Sequence, residues 1–302
     1  MRGALNSTGG RGALASVASS VFFGGVYFVT PMLAPASAEA IWGIRNLVAI
    51  PMIALALISL RQWRFAAEIG TRIKRNPLLI LPILVCGTII MGQLWVFSWA
   101  PMHGRGLNVA LGYFLLPLVL VVVGRFLYRD QLTWWHWTAA GIAAAGVAFQ
   151  IVRVGGISWE TLLVGFGYPV YFVLRRAMGM AHLGGMFWEF LLLSPLALFF
   201  LVRELVDGST LAANPALVWS APLFALWTGV ALMLYVVASR MLPISIFGLL
   251  SYLEPALLVV ASILIGESIQ RGEYVLYGAI WIAVLIVVIG GLAQLRQRPN
   301  PS

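Results

Sequence analysis

The sequence predicts an all-α polytopic membrane protein with ten transmembrane helices. Apolar residues make up 61% of the 302-residue chain and charged residues only 10%, whereas soluble domains are normally about 25% charged. Mean hydropathy is +0.96. The apolar stretches are long enough to cross a bilayer, and their short connections leave no room for a soluble domain or a nucleotide-binding fold. The predicted spans are 12–34, 38–60, 78–99, 106–124, 134–152, 159–178, 184–202, 217–238, 244–265 and 274–294.

The basic residues are distributed unevenly between the two sides of this ten-span arrangement. Of the 19 Lys and Arg residues, fourteen fall on one side, four on the other and one, Arg45, within a span. Membrane proteins show such a bias toward the cytoplasm. We therefore predict that both termini are cytoplasmic and that the net charge of +9 reflects topology rather than nucleic-acid binding. The connection at 61–76 is the most basic, and we expect a solvated loop there. We do not expect the first span to be a cleaved secretory leader.

The two halves of the chain resemble each other. The string Val-Tyr-Phe-Val at 26–29 recurs at 170–173, an offset of 144, and Asp130 and Glu267 end corresponding spans at an offset of 137. Because each half holds an odd number of spans, the second half enters the membrane from the opposite side. The sequence therefore predicts two inverted five-helix repeats, with bounds at 1–153 and 154–302.

One apolar stretch, GLLSYLEPALLVVASILIGE at 248–267, contains an acid near its middle. A carboxylate at the depth of Glu254 costs about 2.5–3.5 kcal/mol, so it is predicted to face protein or water. Pro255 removes a backbone donor, which predicts a bent span with a polar break near the midplane. Two roles stay open for Glu254. It is either a polar anchor that binds a substrate ammonium or takes up a proton, or a clamp bonded to the backbone at the kink.

The same stretch resembles a known family. Residues 251–255 (SYLEP), followed by Gly-Glu at 266–267, are similar to the second-repeat signature of the EamA transporters of the drug/metabolite transporter superfamily. In the first half, LGYF at 111–114 with Pro117, and WVFSWA at 95–100, resemble the RarD-type permeases more closely. Further matching residues are Gly185, Met186, Glu189 and Pro195. The resemblance covers nearly the whole chain.

This resemblance implies a function. It implies a multi-pass transporter of the bacterial inner membrane that exports amino acids, aromatic or of broad range, or similar small metabolites. YddG-type aromatic amino-acid exporters share the architecture. Transport would proceed by alternating access through a central cavity formed by spans 1, 3, 4, 6, 8 and 9. The alternative within the class is a drug or other-metabolite efflux permease. The alternative from other classes is a membrane-embedded enzyme or a non-transporting subunit.

Aromatic and polar residues on these cavity spans are the candidate substrate contacts. An aromatic wall with a few polar groups suits a zwitterion with an apolar side chain, although each aromatic residue is also typical of a core or lipid-facing position. Ser98, Tyr168 and Trp227 belong to the same pattern. Pro117 and Pro255 are predicted helix hinges. The candidate substrate-binding residues are Gln93, Trp95, Trp99, Asn108, Tyr113, Tyr171, Ser251, Tyr252 and Glu254.

Two further charges lie within predicted spans. Arg45 and Glu189 are 144 residues apart, the offset of the repeat. They are therefore predicted at equivalent positions on opposite sides of the membrane and not paired with each other. For each, a structural ion pair or extension toward the nearer interface is the first interpretation.

No catalytic, metal or cofactor motif is found. The sequence contains no P-loop, GxSxG or HExxH pattern, so we predict that the chain is not an enzyme. Cys86 is the single cysteine, and His103, His136 and His182 have no partner at metal-ligand spacing. The expected partners are a small-molecule substrate and the lipid bilayer. The small residues at 139–146 (AAGIAAAG) indicate close helix packing within the fold, or a dimer face.

Overall fold

The computed structural model describes residues 8–128, 134–154, 156–242, 247 and 250–297, and within these it contains helices and no strand. Asp130, one residue of the predicted repeat, lies outside this part. One short 3₁₀ turn, Thr30–Leu33, follows the first α-helix. A second, Pro77–Leu79, precedes the helix that begins at Ile80. The α-helices are α1 (Thr8–Val29), α2 (Ala38–Ser59), α3 (Trp63–Arg75), α4 (Ile80–Met102), α5 (Gly106–Tyr128), α6 (Trp134–Val154), α7 (Trp159–Ala177), α8 (Leu183–Asp207), α9 (Ser209–Ala213), α10 (Leu217–Met241), α11 (Leu253–Ile265) and α12 (Tyr274–Gln297).

Most of these helices are strongly apolar. Among the described residues, six helices are long and apolar enough to cross a membrane, namely α1, α2, α4, α5, α8 and α10. Shorter apolar stretches lie in α6, α11 and α12. Helix α7 is more polar than these helices and carries two charged residues that are buried, Glu160 and Arg175. The chain is therefore a helical multi-pass membrane protein, while the count of ten spans stays a prediction.

Several helix contacts recur in both halves when each helix is matched to the counterpart that the predicted repeat gives it. Helix α1 packs against α10 and α11, and α7, its counterpart in the second half, packs against α4 and α5. Helix α2 contacts α10, and its counterpart α8 contacts α4. The pairs α2–α8, α5–α11 and α6–α12 each join a helix to its own counterpart. These contacts agree with the predicted repeat, whereas the contacts α2–α4, α4–α5 and α5–α6 have no counterpart of similar extent among the described residues of the second half.

The bundle has two ends, which we name by their connections. The basic face carries α3 and the α7–α8 connection, joined where Arg72 donates hydrogen bonds to the carbonyl oxygen of Met178 at 3.2 and 3.1 Å. The opposite face carries the α4–α5 and α11–α12 connections, joined where Glu267 accepts a hydrogen bond from the backbone of Gly106 at 2.7 Å.

The connection at 61–76 is largely helical, and not the loop expected from its charge. Helix α3 buries Ala66 and Ile69 against the bundle while its basic side chains stay at the surface. Nε1 of Trp188 on α8 donates to the carbonyl oxygen of Ala66 at 2.8 Å. Apolar residues three and four apart give α3 one apolar face. The segment is therefore an amphipathic helix packed on α8.

The structure has a break in the helix next to Glu254, but the break is a turn before α11 and not the predicted kink within one helix. Ser251 and Tyr252 form a turn, and α11 begins afresh at Leu253. Glu254 and Pro255 thus lie in the first turn of α11, where backbone N–H groups have no partner within the helix. A proline there breaks no hydrogen bond. Pro117, the other predicted hinge, lies inside the continuous helix α5.

Helices α6 and α12 approach each other closely at a glycine. A Cβ atom added at Gly146 would lie 2.5 Å from Cβ of Ala279 on α12, whereas one added at Gly141 would meet no atom within 4 Å. The small residues at 139–146 therefore serve packing within the fold at Gly146.

Candidate functional site

A buried arginine on α2 lies at the centre of the candidate site. Arg45 is only 6% exposed. Its Nη1 donates to Oγ of Ser98 at 2.6 Å and to the carbonyl oxygen of Leu94 at 3.4 Å. The guanidinium carbon lies 5.5 Å from the ring centre of Phe97 and 5.9 Å from that of Phe224. Both distances are within the range of cation–π attraction.

No carboxylate in the described part of the chain forms an ion pair with Arg45. Glu39, on the same helix, instead accepts a hydrogen bond from Nε1 of Trp95 at 3.0 Å. The ion pairs found in that part join other residues. Of the ten acids in the chain, Asp130 alone lies outside it. A buried charge without a counter-ion is costly, so fold stability does not explain Arg45.

Two tyrosines lie in the same part of the bundle as Arg45. The hydroxyl oxygens of Tyr113 on α5 and Tyr168 on α7 are 3.1 Å apart, and their ring centres are 5.7 Å apart. Tyr113 packs edge-on against Phe97, the ring that faces the Arg45 guanidinium, with ring centres 6.0 Å apart. Arg45 and Glu254 both lie within electrostatic range of the two hydroxyls.

Glu254 reaches this cluster from the first turn of α11. Its carboxylate accepts no hydrogen bond from any group in the described residues, although Tyr235 on α10 lies within its electrostatic range. The positive end of the α11 dipole favours a negative charge at this position. We name Arg45, Ser98, Tyr113, Tyr168 and Glu254 the central site.

Three of the predicted contacts lie on α4 but not at the central site. Gln93 is fully buried, and its Nε2 donates to the carbonyl oxygen of Leu163 at 2.7 Å, which joins α4 to α7. Trp95 and Trp99 stack with ring centres 5.6 Å apart, and Trp99 stacks on His103 at 4.3 Å. This aromatic stack lies toward the opposite face.

Asn108 and Tyr171 also lie away from the central site. Asn108 lines a polar cleft of about 270 Å³ at the opposite face, and its carbonyl oxygen accepts from Oγ1 of Thr161 at 2.7 Å. Tyr171 donates to Oε2 of Glu189 at 2.7 Å.

Ser251 and Tyr252 precede Glu254 in the turn before α11. Oγ of Ser251 donates to the carbonyl oxygen of Phe247 at 2.9 Å. Tyr252 is 7% exposed and packs in the apolar core. Of the nine predicted contacts, the structure therefore brings Tyr113 and Glu254 together in the central site.

Glu189 belongs to a separate buried cluster. Its Oε1 lies 3.1 Å from Nε of Arg175, without the geometry of a hydrogen bond, and its other oxygen holds Tyr171. Glu189 is fully buried and the Arg175 side chain is 10% exposed. This arrangement is the structural ion pair that the sequence favoured, but the sequence placed Arg175 among the flanking basic residues and did not identify it as the partner.

The beginning of α5 is tied to its neighbours at the opposite face. The two carboxylate oxygens of Glu267 accept from the backbone N–H groups of Gly106 at 2.7 Å and Leu107 at 2.8 Å. Tyr27 donates to the carbonyl oxygen of Gly106 at 3.0 Å, and Tyr277 to that of Leu107 at 2.8 Å. We name these four hydrogen bonds the α5 seal.

An ion pair also stabilises the opposite face. Nε of Arg105 lies 2.7 Å from Oε1 of the fully buried Glu160, which joins the α4–α5 connection to α7. This hydrogen bond raises the pKa of Arg105. Burial raises the pKa of the Glu267 carboxyl above its ordinary value, against the two backbone donors, which lower it. The α5 seal and this ion pair thus join the beginning of α5 to α1, α7 and the α11–α12 connection at the opposite face.

A polar site enclosed in an apolar helical bundle is typical of membrane proteins that bind small solutes. No model of a known protein family matches the chain. It is 37% identical over 289 residues to an uncharacterized transporter of Pasteurella multocida, which covers 95% of this chain and 99% of the relative. It is 36% identical over 290 residues to the chloramphenicol-sensitive protein RarD of Pseudomonas aeruginosa, with 96% and 97% covered. An uncharacterized transporter of Haemophilus influenzae is 35% identical over 95% of this chain.

These relatives assign the chain to the class of helical membrane transporters. It belongs to the RarD-type transporter family. Two of these three relatives are named as transporters, and none of the three is named as an enzyme.

Proposed function

We propose that the chain is a secondary transporter of the EamA type that exports amino acids, aromatic or of broader range, or similar small metabolites. The observation that carries this proposal is the central site. There Arg45 and Glu254 lie within electrostatic range of the Tyr113–Tyr168 pair, and neither has an ionic partner in the described part of the chain. A zwitterion supplies both missing charges, and the aromatic rings accommodate an apolar side chain.

The packing of the helices supports alternating access. Contacts that are preserved when the halves are exchanged are those expected of two inverted five-helix repeats, 1–153 and 154–302. In such a fold the halves rock around a fixed central site. The helix break before α11 and Pro117 within α5 are the proposed points of bending.

The distribution of charge supports a location in the bacterial inner membrane with both termini in the cytoplasm. In this orientation the basic face, with the amphipathic helix α3, is cytoplasmic. The α5 seal then closes the periplasmic side. A solute leaving the cell would enter the central site from the cytoplasm while this seal is formed.

Drug efflux is the second candidate function, because one relative is named a chloramphenicol-sensitive protein. A transport screen in proteoliposomes separates the two candidates. Vesicles preloaded with one unlabelled amino acid, or with chloramphenicol, receive the same compound labelled outside. Accumulation of label above protein-free vesicles for at least one amino acid is the expected result. Accumulation of chloramphenicol alone would favour drug efflux, and chemical conversion of the label would indicate an enzyme.

A further inference from the structure

The guanidinium of Arg45 has donors that the protein does not use. A guanidinium carries five N–H donors in a planar fork. Within the described part of the chain only Nη1 forms hydrogen bonds, to Ser98 and Leu94. The remaining N–H groups form no hydrogen bond with the described residues, and they are not among their fully buried unpaired atoms, so a ligand that supplies an acceptor can reach them.

The surroundings of Arg45 select the chemistry of that ligand. The planar fork of arginine matches the two oxygens of a carboxylate. Of the described basic side chains, only Arg45 and Arg175 are buried, and Arg175 is already paired with Glu189. A single available cation suits a singly charged anion better than a phosphate dianion.

The groups around the guanidinium are apolar on two sides. Phe97 and Phe224 lie within 5.9 Å of its carbon, measured to their ring centres. Both rings belong to residues that are at most 3% exposed. A ligand whose carboxylate reaches Arg45 therefore meets aromatic surface on these two sides.

We propose that Arg45, oriented by Ser98, forms the subsite for the carboxylate group of the solute, so that the substrate class is small monocarboxylates with an apolar body. This inference rests on the proposed transport function, but it concerns binding and is tested separately. Arg45 would contact the ligand directly, whereas Ser98 is a positioning residue that fixes the direction of the fork.

The test uses four probes that share one phenyl group and differ in charge: L-phenylalanine, L-phenylalaninamide, 3-phenylpropanoate and 3-phenylpropanamide. Binding to the purified full chain in detergent is measured by calorimetry and by the shift of the unfolding temperature. The two carboxylates are expected to bind about tenfold or more tightly than the matching amides, since hydrogen bonds to charged groups are the strong ones.

Variants assign this preference to Arg45. Arg45→Gln should abolish it, Arg45→Lys should keep part of it, and Ser98→Ala should weaken it. Arg203→Gln, at an exposed position, is the control for the loss of one positive charge, and it should leave the preference for carboxylates over amides intact. Arg45→Gln should also unfold at the same or a higher temperature without ligand, because it removes an unpaired buried charge. A purely structural arginine would instead lower that temperature.

The outcomes separate this proposal from the transport function. Equal binding of carboxylates and amides by the wild type, binding of no probe, or an unchanged preference in Arg45→Gln would each overturn the carboxylate subsite. Transport of an amino acid together with any of these results would leave the transport function standing. A carboxylate preference that depends on Arg45, without transport of any solute in vesicles, would keep the subsite and reject the transport function.

Discussion

Arg175 lies with its Nε 3.1 Å from Oε1 of Glu189, in a buried ion pair of the second half of the chain. Arg45 corresponds to Glu189 by the 144-residue offset of the repeat, yet it has no acidic partner in the described residues. The two positions that the repeat predicts to be equivalent thus hold one charge with an ionic partner and one without an acidic partner among the described residues. The satisfied one is structural, and the unsatisfied one belongs to the central site.

The Arg175–Glu189 pair leads to a stability prediction. Glu189→Ala leaves Arg175 buried without a counter-ion and should cost about 3–5 kcal/mol of stability. Thermal unfolding of the purified protein should show a clear fall in midpoint. Glu68→Ala, which removes an exposed acid on α3, is the matched control and should change the midpoint little. Equal midpoints for both variants would contradict a structural role of the pair.

The α5 seal leads to a prediction about local opening. Glu267→Ala leaves the N–H groups of Gly106 and Leu107 without their acceptor, and each unsatisfied donor costs about 1–3 kcal/mol. Hydrogen–deuterium exchange of a peptide covering these residues should become faster than in the wild type. Glu273→Ala, on the same connection, should leave the exchange near the wild-type rate. Unchanged exchange in Glu267→Ala would mean that the carboxylate does not hold this face closed.

His182 leads to a pH prediction outside the spans. Its Nδ1 accepts from the N–H of Gly185 at 3.3 Å and so caps α8. Burial lowers the pKa of His182, and the positive charges of Arg175 and Arg72 add to this, while Glu68 opposes it. Because the folded protein favours the neutral ring, the stabilisation is complete above the ordinary pKa of about 6.5 and is lost as the pH falls below it.

A capping residue that does not titrate tests this prediction. His182→Asn keeps a side-chain acceptor for the helix start. The unfolding temperature of the wild type should fall more between about pH 7.5 and pH 5 than that of His182→Asn. Parallel pH profiles for the two proteins would show that His182 does not titrate with folding.

Two glycines on α6 form a matched pair. Gly146→Ala should destabilise the protein, because the new Cβ would lie 2.5 Å from that of Ala279. Gly141→Ala meets open space and should be neutral or stabilising by about 0.5–1 kcal/mol, since alanine favours helix more than glycine does. Thermal unfolding measures both changes. Similar effects of the two changes would contradict close α6–α12 packing at Gly146.

The sequence predicted the helical segments well because apolarity is a local property. It missed α3 because the segment was judged by its charge, although its apolar residues three and four apart favour an amphipathic helix. It also placed Pro255 inside a kinked helix, since a proline suits a kink and a first helical turn equally well.

The central site was predictable only in part. Glu254 stood out because charged groups are rare in spans, and Tyr113 because of the aromatic pattern on the predicted cavity spans. The contact of Arg45 with Ser98, and its position against Phe97 and Phe224, depend on how α2, α4 and α10 pack, which no local pattern specifies. For the same reason Gln93 was a candidate contact, although it joins α4 to α7.

The measurement that tests the central claim most directly is counterflow of labelled L-phenylalanine in proteoliposomes, by the wild type and by Glu254→Gln, from acid to alkaline pH. Glutamine keeps the size and hydrogen-bonding capacity of Glu254 but does not titrate. We expect the wild type to accumulate label above protein-free vesicles, and folded Glu254→Gln to transport less, with a flattened pH dependence. Normal transport by Glu254→Gln at every pH would show that transport does not need a titrating group at this position and would contradict the role of Glu254 in the central site.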